Sequence, residues 1–417
     1  MRLGTYVKGA LVALAAGLGS TAAHAEGEPL RFGLCYDLTK AYTFVTPQLS
    51  QAAQDLAALH NLKGGIEGRK IEIVLQDHGN EAQRGIECYE RLKRDGIFVF
   101  DFMSTPVANA LMPRALKDGN IQITSLTGRG DAVDGSVFKT IYPLGPTYWG
   151  QAANDIAYIK EQSGASLKDV KVGFVYFDYP FGQEPIRVLE ALAKVEGFDL
   201  QLFPVLMPGT DQSAVWSQVR RANPDWILGW MFSNGQVVAA REMRRNGIPL
   251  TKYLSSNWLN EVDLGNIGFE EAAGVKRGTN VAGGQDFPII QEIITELYDK
   301  GKGSGDRKLV NDVYYNAGLA VYSAVFEGAR KAITEFGPDF TAQSMKAGLE
   351  SIRDYDANGL FAPISITPED HGGGGKTRIE MWDGKQWVPQ TDWMSAYDDE
   401  IWNVVKEYSA KFAAEQQ

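Results

Sequence analysis

The chain of 417 residues carries 41 Lys and Arg against 52 Asp and Glu, with 44% hydrophobic residues, 45 glycines and two cysteines. That length fits two globular domains whose cores need no disulfide framework, and the residue mix is not that of a disordered chain. A net charge of −11 argues against nucleic acid as a partner, which needs a basic footprint, and two cysteines exclude a Cys-rich metal scaffold.

The chain opens with a basic start at Arg2 and Lys8, an apolar run from Gly9 to Gly19, and small residues at Ala23-His24-Ala25. This is the pattern of a bacterial export signal over residues 1–25. The apolar run is shorter than the roughly 20 residues of a membrane span, and no lipid-accepting cysteine stands near the cleavage point. The expectation is a soluble protein of the periplasm. Loss of the two basic residues takes the net charge from −11 to −13.

Beyond the signal, short apolar strands alternate with amphipathic helical segments. A strand is predicted over Leu30–Tyr36, a helix over Thr46–Leu62, and a strand over Lys70–Leu75. A helix follows over Glu81–Arg94, a strand over Ile97–Phe102, a helix over Val107–Asp118 and a strand over Gln122–Ser125. The rhythm restarts with Val170–Phe177, a helix over Glu184–Glu196, Leu200–Leu206, a helix over Ser213–Ala222 and Trp226–Trp230. Val238–Asn246 reads as a further helix and Tyr253–Ser255 as a strand. Two successive runs of this kind imply two α/β lobes, each a doubly wound parallel sheet with right-handed crossovers. Thr377–Trp393 reads as a β hairpin and Ile401–Ala414 as a terminal helix that packs on a lobe.

The segment Asn61-Leu62-Lys63-Gly64-Gly65-Ile66-Glu67-Gly68-Arg69-Lys70-Ile71-Glu72 resembles a signature of leucine/isoleucine/valine-type periplasmic binding proteins. Asp77, Asp178-Tyr179-Pro180-Phe181-Gly182, Arg241–Gly247 and Gly359–Ile364 fall in that family's order. The resemblance covers essentially the whole mature chain. It implies the type I periplasmic-binding fold, two lobes joined by a three-segment hinge, and a non-enzymatic receptor that delivers a small molecule to the membrane permease of an ABC importer. It implies a monomer with no cofactor. The motif's glycines are read as structural, since Gly64, Gly65 and Gly68 let the chain leave a helix in a left-handed conformation. Crossings between lobes are expected near Gly145–Gly150, Asn280–Gly284 and Tyr355–Pro363. Lobe one then covers 30–147 plus 283–356, and lobe two 148–282 plus 357–417.

Ligands of open α/β lobes bind beyond the carboxyl ends of the strands, where helix N-termini also point. The first-lobe rims offer Tyr42 within Asp37–Phe44, then Ser104 and Thr105, then Ser125 and Thr127. Ser104 and Thr105 suit either a helix cap or a ligand's oxygens, and by resemblance Thr105 sits where the family binds a ligand carboxylate. The second-lobe rims offer Tyr148 and Trp149, Tyr179 and Phe181, Phe232, then Asn257 and Trp258. An apolar wall with a few polar anchors is what a small-ligand cleft needs.

The resemblance also exposes a departure. Relatives that bind amino acids hold the ammonium with two acids from the second lobe, and motif-by-motif alignment places these at Tyr148 and Asn257. Neither can neutralise a buried ammonium, whose unpaired burial costs several kcal/mol; Glu261 or Asp263 would take that place if the alignment slips by a residue or two. The expected ligand is therefore a carboxylate with an aromatic or apolar body, of the benzoate or cinnamate kind. Lys40 and Arg129 are candidate carboxylate partners. Branched-chain amino acid or amide binding is the alternative ligand, and a ligand-sensing partner of a chemoreceptor or sensor kinase the alternative role.

Other patterns carry no chemistry. Gly372-Gly373-Gly374-Gly375-Lys376-Thr377 lacks the first glycine of a phosphate-binding loop and runs on into a strand, so it reads as a hairpin turn. His60, His78 and His371 have no metal-ligand spacing, and no nucleophile elbow is present. Cys35 on the first strand and Cys88 on the crossing helix are compatible with one disulfide in an oxidising compartment or with two buried thiols.

Overall fold

The computed structural model describes Met1 and residues 27–416 apart from Thr127; residues 2–26, which include most of the expected export signal, lie outside the described residues. Two sheets organise the chain. The first has the order β2-β1-β3-β4-β5, all parallel, from β1 (Leu30–Tyr36), β2 (Ile71–Asp77), β3 (Val99–Asp101), β4 (Ile121–Ile123) and β5 (Ile141–Tyr142). The second runs β12-β11-β10-β9-β8-β6-β7, from β6 (Lys171–Phe177), β7 (Asp199–Val205), β8 (Trp226–Trp230), β9 (Tyr253–Ser255), β10 (Lys276–Thr279), β11 (Arg378–Trp382) and β12 (Trp387–Pro389). Its β11 pairs antiparallel with β10 and with β12, and its other pairs are parallel. Strands such as β1, buried on both faces apart from Arg31, need helices on each side of the sheet, and the alternating sequence supplies them.

The glycine-rich signature is explained by local geometry. Helix 46–62 ends at Lys63, after which Gly64, Gly65 and Gly68 adopt φ of 99°, 78° and 77°. A Cβ on Gly65 would lie 2.0 Å from the Arg69 carbonyl oxygen. Asn61 then locks the turn to β2: its side-chain amide donates to the Ile71 carbonyl at 2.9 Å and accepts from the Ile71 amide at 2.8 Å. The motif is a joint between helix and strand.

The chain crosses between the sheets three times. The first crossing follows β5 and enters helix 148–162, where the Trp149 ring packs so closely on Gly130 that a Cβ there would be 2.1 Å away. After β10 the chain returns to helix 313–336, which packs on helix 46–62 with Gly318 pressed against Leu49 and Ala52. The third crossing includes the Gly372–Gly375 run. This run is not a hairpin turn: Gly145 donates to the Gly372 carbonyl at 2.9 Å and Ser365 to that of Gly373 at 3.0 Å, which ties the first and third connections together. The expected hairpin is β11 with β12, and it turns at Asp383–Gln386.

Cys35 and Cys88 form a disulfide between β1 and helix 82–94. Closing 53 residues of chain is worth about 4 kcal/mol in the loop-entropy account. The terminal helix, 398–415, packs on both lobes. Ser409 donates to Asp134 at 2.7 Å and Phe412 stacks on Phe138 at 4.6 Å, while Tyr408 meets Trp149 at 5.8 Å and lies under Arg187 at 4.1 Å. Among the described residues no helix is long and apolar enough to cross a membrane.

Candidate ligand-binding site

The carboxyl ends of β1, β2, β3, β6, β8 and β9 meet across the gap between the sheets. The loop after β1 is shaped by a buried carboxylate. Asp37 accepts from the amides of Thr39 (3.2 Å), Lys40 (2.8 Å) and Tyr42 (2.8 Å), which presents Tyr42 and Phe44 to the opposite lobe. After β3, Ser104 caps helix 105–118 by accepting from the Val107 amide, with Pro106 in the first turn as such starts favour. The helix therefore begins two residues before the predicted Val107, and Thr105 is its first residue. Helix 148–162 opens with Tyr148 behind the Thr147 cap, and Phe181 rides on the short turn 180–183.

Rings fill the space between the lobes. Phe44 stacks on Phe232 at 5.0 Å and 16°. Phe44 also meets Trp258 at 5.7 Å and Tyr314 at 5.9 Å, both edge-on. Tyr42 and Phe181 each lie 5.5 Å from Phe232, and Tyr148 lies 5.2 Å from Phe181. At the cleft rim a direct hydrogen bond joins the lobes: Asn80 donates to the Tyr179 hydroxyl at 2.9 Å, while its carbonyl oxygen accepts from Ser104 at 2.7 Å.

Several polar atoms among these rings are buried without a hydrogen-bond partner. They include the hydroxyls of Tyr42, Thr105, Ser256 and Tyr314 and the Asn257 carbonyl oxygen. Leaving such atoms unpaired costs about 1–3 kcal/mol each, which makes them candidates for the polar groups of a ligand. Burial, then the nearby Tyr179, Tyr148 and Asp37, pushes the Tyr42 phenol well above its usual value, so it is a donor at any physiological pH. Four of the twelve non-glycine residues with positive φ among the described residues lie at the same rims. Asn80, Leu126, Leu144 and Ser233 hold φ of 57°, 54°, 54° and 51° after β2, β4, β5 and β8, the left-handed region that non-glycine residues enter at a cost of about 1–3 kcal/mol.

The structure brings together Tyr42, Tyr148, Phe181, Phe232 and Trp258, with Asn257 next to Trp258 in the chain and Thr105 at the start of helix 105–118, while other candidates are otherwise engaged. Ser125 lies beyond the end of β4 and gives its hydroxyl to the Asp101 carboxylate, which also binds Tyr36 at 2.8 Å and Tyr322 at 2.9 Å. Ser104 is committed to its cap and to Asn80. Arg129 is not a carboxylate receptor in the cleft: it pairs with Asp131 through two bonds of 2.6 Å and lies over Phe412 at 4.8 Å. Lys40 is exposed. Thr127 lies outside the described residues.

Tyr148 accepts from the Trp258 indole at 3.1 Å, so the two ring systems act as one wall. Sequence reasoning missed Phe44, Asn80, Ser256 and Tyr314. Phe44 stood within the quoted rim segment, and Tyr314 opens helix 313–336 behind an Asp312 cap, a start that faces the cleft as helix N-termini do in this class of fold. Near it lies Asp263, whose Oδ2 has no partner and whose carboxyl burial pushes up to about 7. Its charge is felt by Tyr314 and Tyr253.

A model of the periplasmic binding protein family matches residues 29–386. The chain belongs to the periplasmic binding protein family. This binding protein is similar to the Leu/Ile/Val-binding protein of Escherichia coli (strain K12), with 23% identity over 233 residues, 54% of this chain and 60% of that one. It is also similar to Leu/Ile/Val-binding protein homolog 8 of Brucella suis biovar 1 (strain 1330), with 22% identity over 254 residues, 59% of this chain and 62% of that one. The match thus spans about three fifths of the length of these curated relatives.

A crystal structure described as an ABC transporter permease from the Pseudomonas fluorescens group superposes with a TM-score of 0.85 at 31% identity, over 93% of this chain and 97% of that one. A branched chain amino acid ABC transporter protein from Thermus thermophilus with bound valine gives 0.78 at 18% identity, over 91% and 99%. A fatty acid ABC transporter substrate-binding protein from Thermomonospora curvata gives 0.74 at 22%, over 90% and 94%. The last two share the fold, which is the type I periplasmic-binding fold. The relatives are binding proteins of transporters rather than enzymes.

Proposed function

We propose that this binding protein is the periplasmic receptor of an ABC importer, closing its lobes on a small carboxylate that lacks an α-ammonium group. The observation that carries the reading is the pair of buried, unpartnered hydroxyls of Tyr42 and Thr105, with Tyr42 packed on Phe232 in a wall that continues through Phe181, Tyr148 and Trp258. Hydroxyl donors at a helix start suit an anionic oxygen, and the rings suit an apolar body. At Tyr148 and Asn257 the second lobe offers a phenol and an amide, which cannot balance an ammonium. A neighbour of the same fold that is a fatty acid receptor supports a carboxylate held without one. With an overall charge of −11, capture of an anion depends on these local donors, because the long-range field repels it.

A second reading is favoured by Asp263, a buried carboxyl with a free oxygen near Tyr314. It could receive an ammonium, and this would fit a branched-chain amino acid. A thermal-shift series separates the two. Benzoate, cinnamate and hexanoate are expected to raise the melting temperature, by about 2.7 kcal/mol of stabilisation at 100-fold excess over the dissociation constant, with leucine, isoleucine and valine inert. Stabilisation by leucine alone, lost in Asp263→Asn, would establish the second reading instead.

A further inference from the structure

Helices 82–94, 105–118 and 398–415 bring their C-terminal ends together beside the start of β5, at the end of the first sheet opposite its carboxyl-end rims. Between them lies a groove of about 850 Å³. Its floor is apolar: Pro113, Leu116 and Val137 are half-buried, and Phe412 is buried against Phe138 at 4.6 Å. Its rim sets Lys93, Arg114, Lys117 and Lys139 against Glu90 and Asp118. Both carboxylates are already spent. Glu90 pairs with Arg114 and with Lys93, each at 3.1 Å, and Asp118 holds Lys93 at 2.8 Å and the Tyr89 hydroxyl at 2.7 Å. Lys117 and Lys139 are exposed and form no ion pair among the described residues. The groove is thus positive on a chain of net charge −11.

Cations in a last helical turn stabilise the helix that carries them, which accounts for Lys93 and Lys117. It does not account for Lys139, which belongs to no helix, or for Arg114, which precedes the last turn. The family model ends at residue 386, so the wall given by Phe412, Ala413 and Gln416 is built by a helix beyond it. We infer that this groove docks an acidic amphipathic helix of a partner protein. A small inorganic anion would meet the cations and leave the apolar floor wet. A flat membrane surface would meet the exposed lysines and miss the half-buried floor between them. A helix about 10–12 Å across lays its apolar stripe on that floor and sets flanking Asp and Glu against Lys117 and Lys139. The groove lies away from the cleft, so this docking stands whichever ligand the cleft holds.

The probe is a labelled helical peptide of about 18 residues, five turns, with a leucine stripe flanked by glutamates. Fluorescence anisotropy with the purified protein should show binding of this peptide and none of its lysine counterpart. Affinity should fall as salt rises from about 0.1 to 1 M and the screening length shrinks from about 10 to 3 Å. Lys117→Glu combined with Lys139→Glu should lower affinity about tenfold or more, chiefly through slower association. The same charge change at Lys168 and Lys302, which are exposed elsewhere, should leave affinity within about twofold. All four lysines are exposed, so both variants should keep the wild-type unfolding transition. Failure of the acidic peptide to bind overturns the docking groove. So does equal binding of a scrambled peptide of the same charge, or an equal loss in the Lys168 and Lys302 variant. Binding to phosphatidylglycerol vesicles without binding of the peptide overturns it in favour of a membrane.

Discussion

At the edge built by helix 398–415, the polar groups that meet across the lobes have already chosen partners. Arg129 holds Asp131 through both nitrogens, Asp134 receives Ser136, Ser409 and Lys406, and the Trp149 indole donates to Glu184 at 3.2 Å. At the strand rims the situation is reversed, with buried hydroxyls of Tyr42, Thr105, Ser256 and Tyr314 unpartnered and the backbone strained at four places. Both surfaces are rich in aromatic rings, so composition does not separate them. What separates them is whether donors and acceptors are spent. A surface with its bonds made contributes to stability; one with its bonds unmade is kept at a cost that a bound ligand would recover under the proposed function.

Substitutions that act on one quantity only at each surface test this contrast. The largest effect is expected from Phe412→Ala, which removes a buried ring stacked on Phe138 and covered by Arg129. Denaturant unfolding should show a loss of about 3–4 kcal/mol, with ligand affinity changed less than twofold. Thr105→Val is the opposite case. It deletes a hydroxyl that no protein group uses, so stability should move by less than about 1 kcal/mol while affinity for a carboxylate falls about tenfold or more. A Phe412→Ala protein with unchanged stability, or a Thr105→Val protein that unfolds early, would erase the distinction.

The next effect is pH-dependent and belongs to the C-terminal edge. Burial, and then the charge of Asp131, raises Glu184 from 4.5 to about 7. The folded chain therefore keeps this proton to higher pH than the unfolded chain does, and stability falls as pH rises through the window from 4.5 to about 7. The side chain retains some exposure, so the fall should be on the order of 1–2 kcal/mol rather than the full value of the shift. In Glu184→Gln that part of the slope disappears. Asp263, also at about 7, titrates over a similar window from the cleft side. Only its window should extend to higher pH when an anionic ligand covers it, and equal ligand sensitivity at Glu184 would merge the two surfaces into one.

Much of the fold was legible because its determinants are local. Apolar periodicity placed the long strands β1, β6 and β7 within two residues, and the Asn61–Arg69 signature encodes a helix-to-strand joint that needs no distant partner. The short strands were read too long, since β3 and β4 are only three residues each, and the two-residue β5 carries no periodic signal at all. At the candidate site, residue type and rim position drew attention to Tyr42, Thr105, Phe181, Phe232 and Trp258, which the structure leaves buried at the strand rims. Ser125 and Arg129 failed for a different reason. Sequence tells that a hydroxyl or guanidinium sits at a rim, but Asp101 and Asp131 decide whether it is free, and Asp101 reaches Ser125 only through the packing of β3 beside β4. Phe44 and Tyr314 became visible only once the two lobes were placed face to face.

The smallest effect expected is at Lys406, and it tests whether satisfaction of a charge, rather than the count of its bonds, makes an edge durable. Its ammonium lies 3.0 Å from Asp134, but the lysine side chain is 57% exposed while the aspartate is 1% exposed. An ion pair with one partner in water is worth roughly 0–1 kcal/mol. Asp134 keeps the Ser136 and Ser409 hydroxyls and its own backbone turn when the lysine is gone. Lys406→Ala should therefore cost about 0.5 kcal/mol or less in low salt, and nothing measurable in 1 M salt, where the screening length is about 3 Å. Asp134→Ala strands both serines and the lysine, and should cost several times more in either salt. Equal costs for the two substitutions would mean that the helix is held by the surface charge after all.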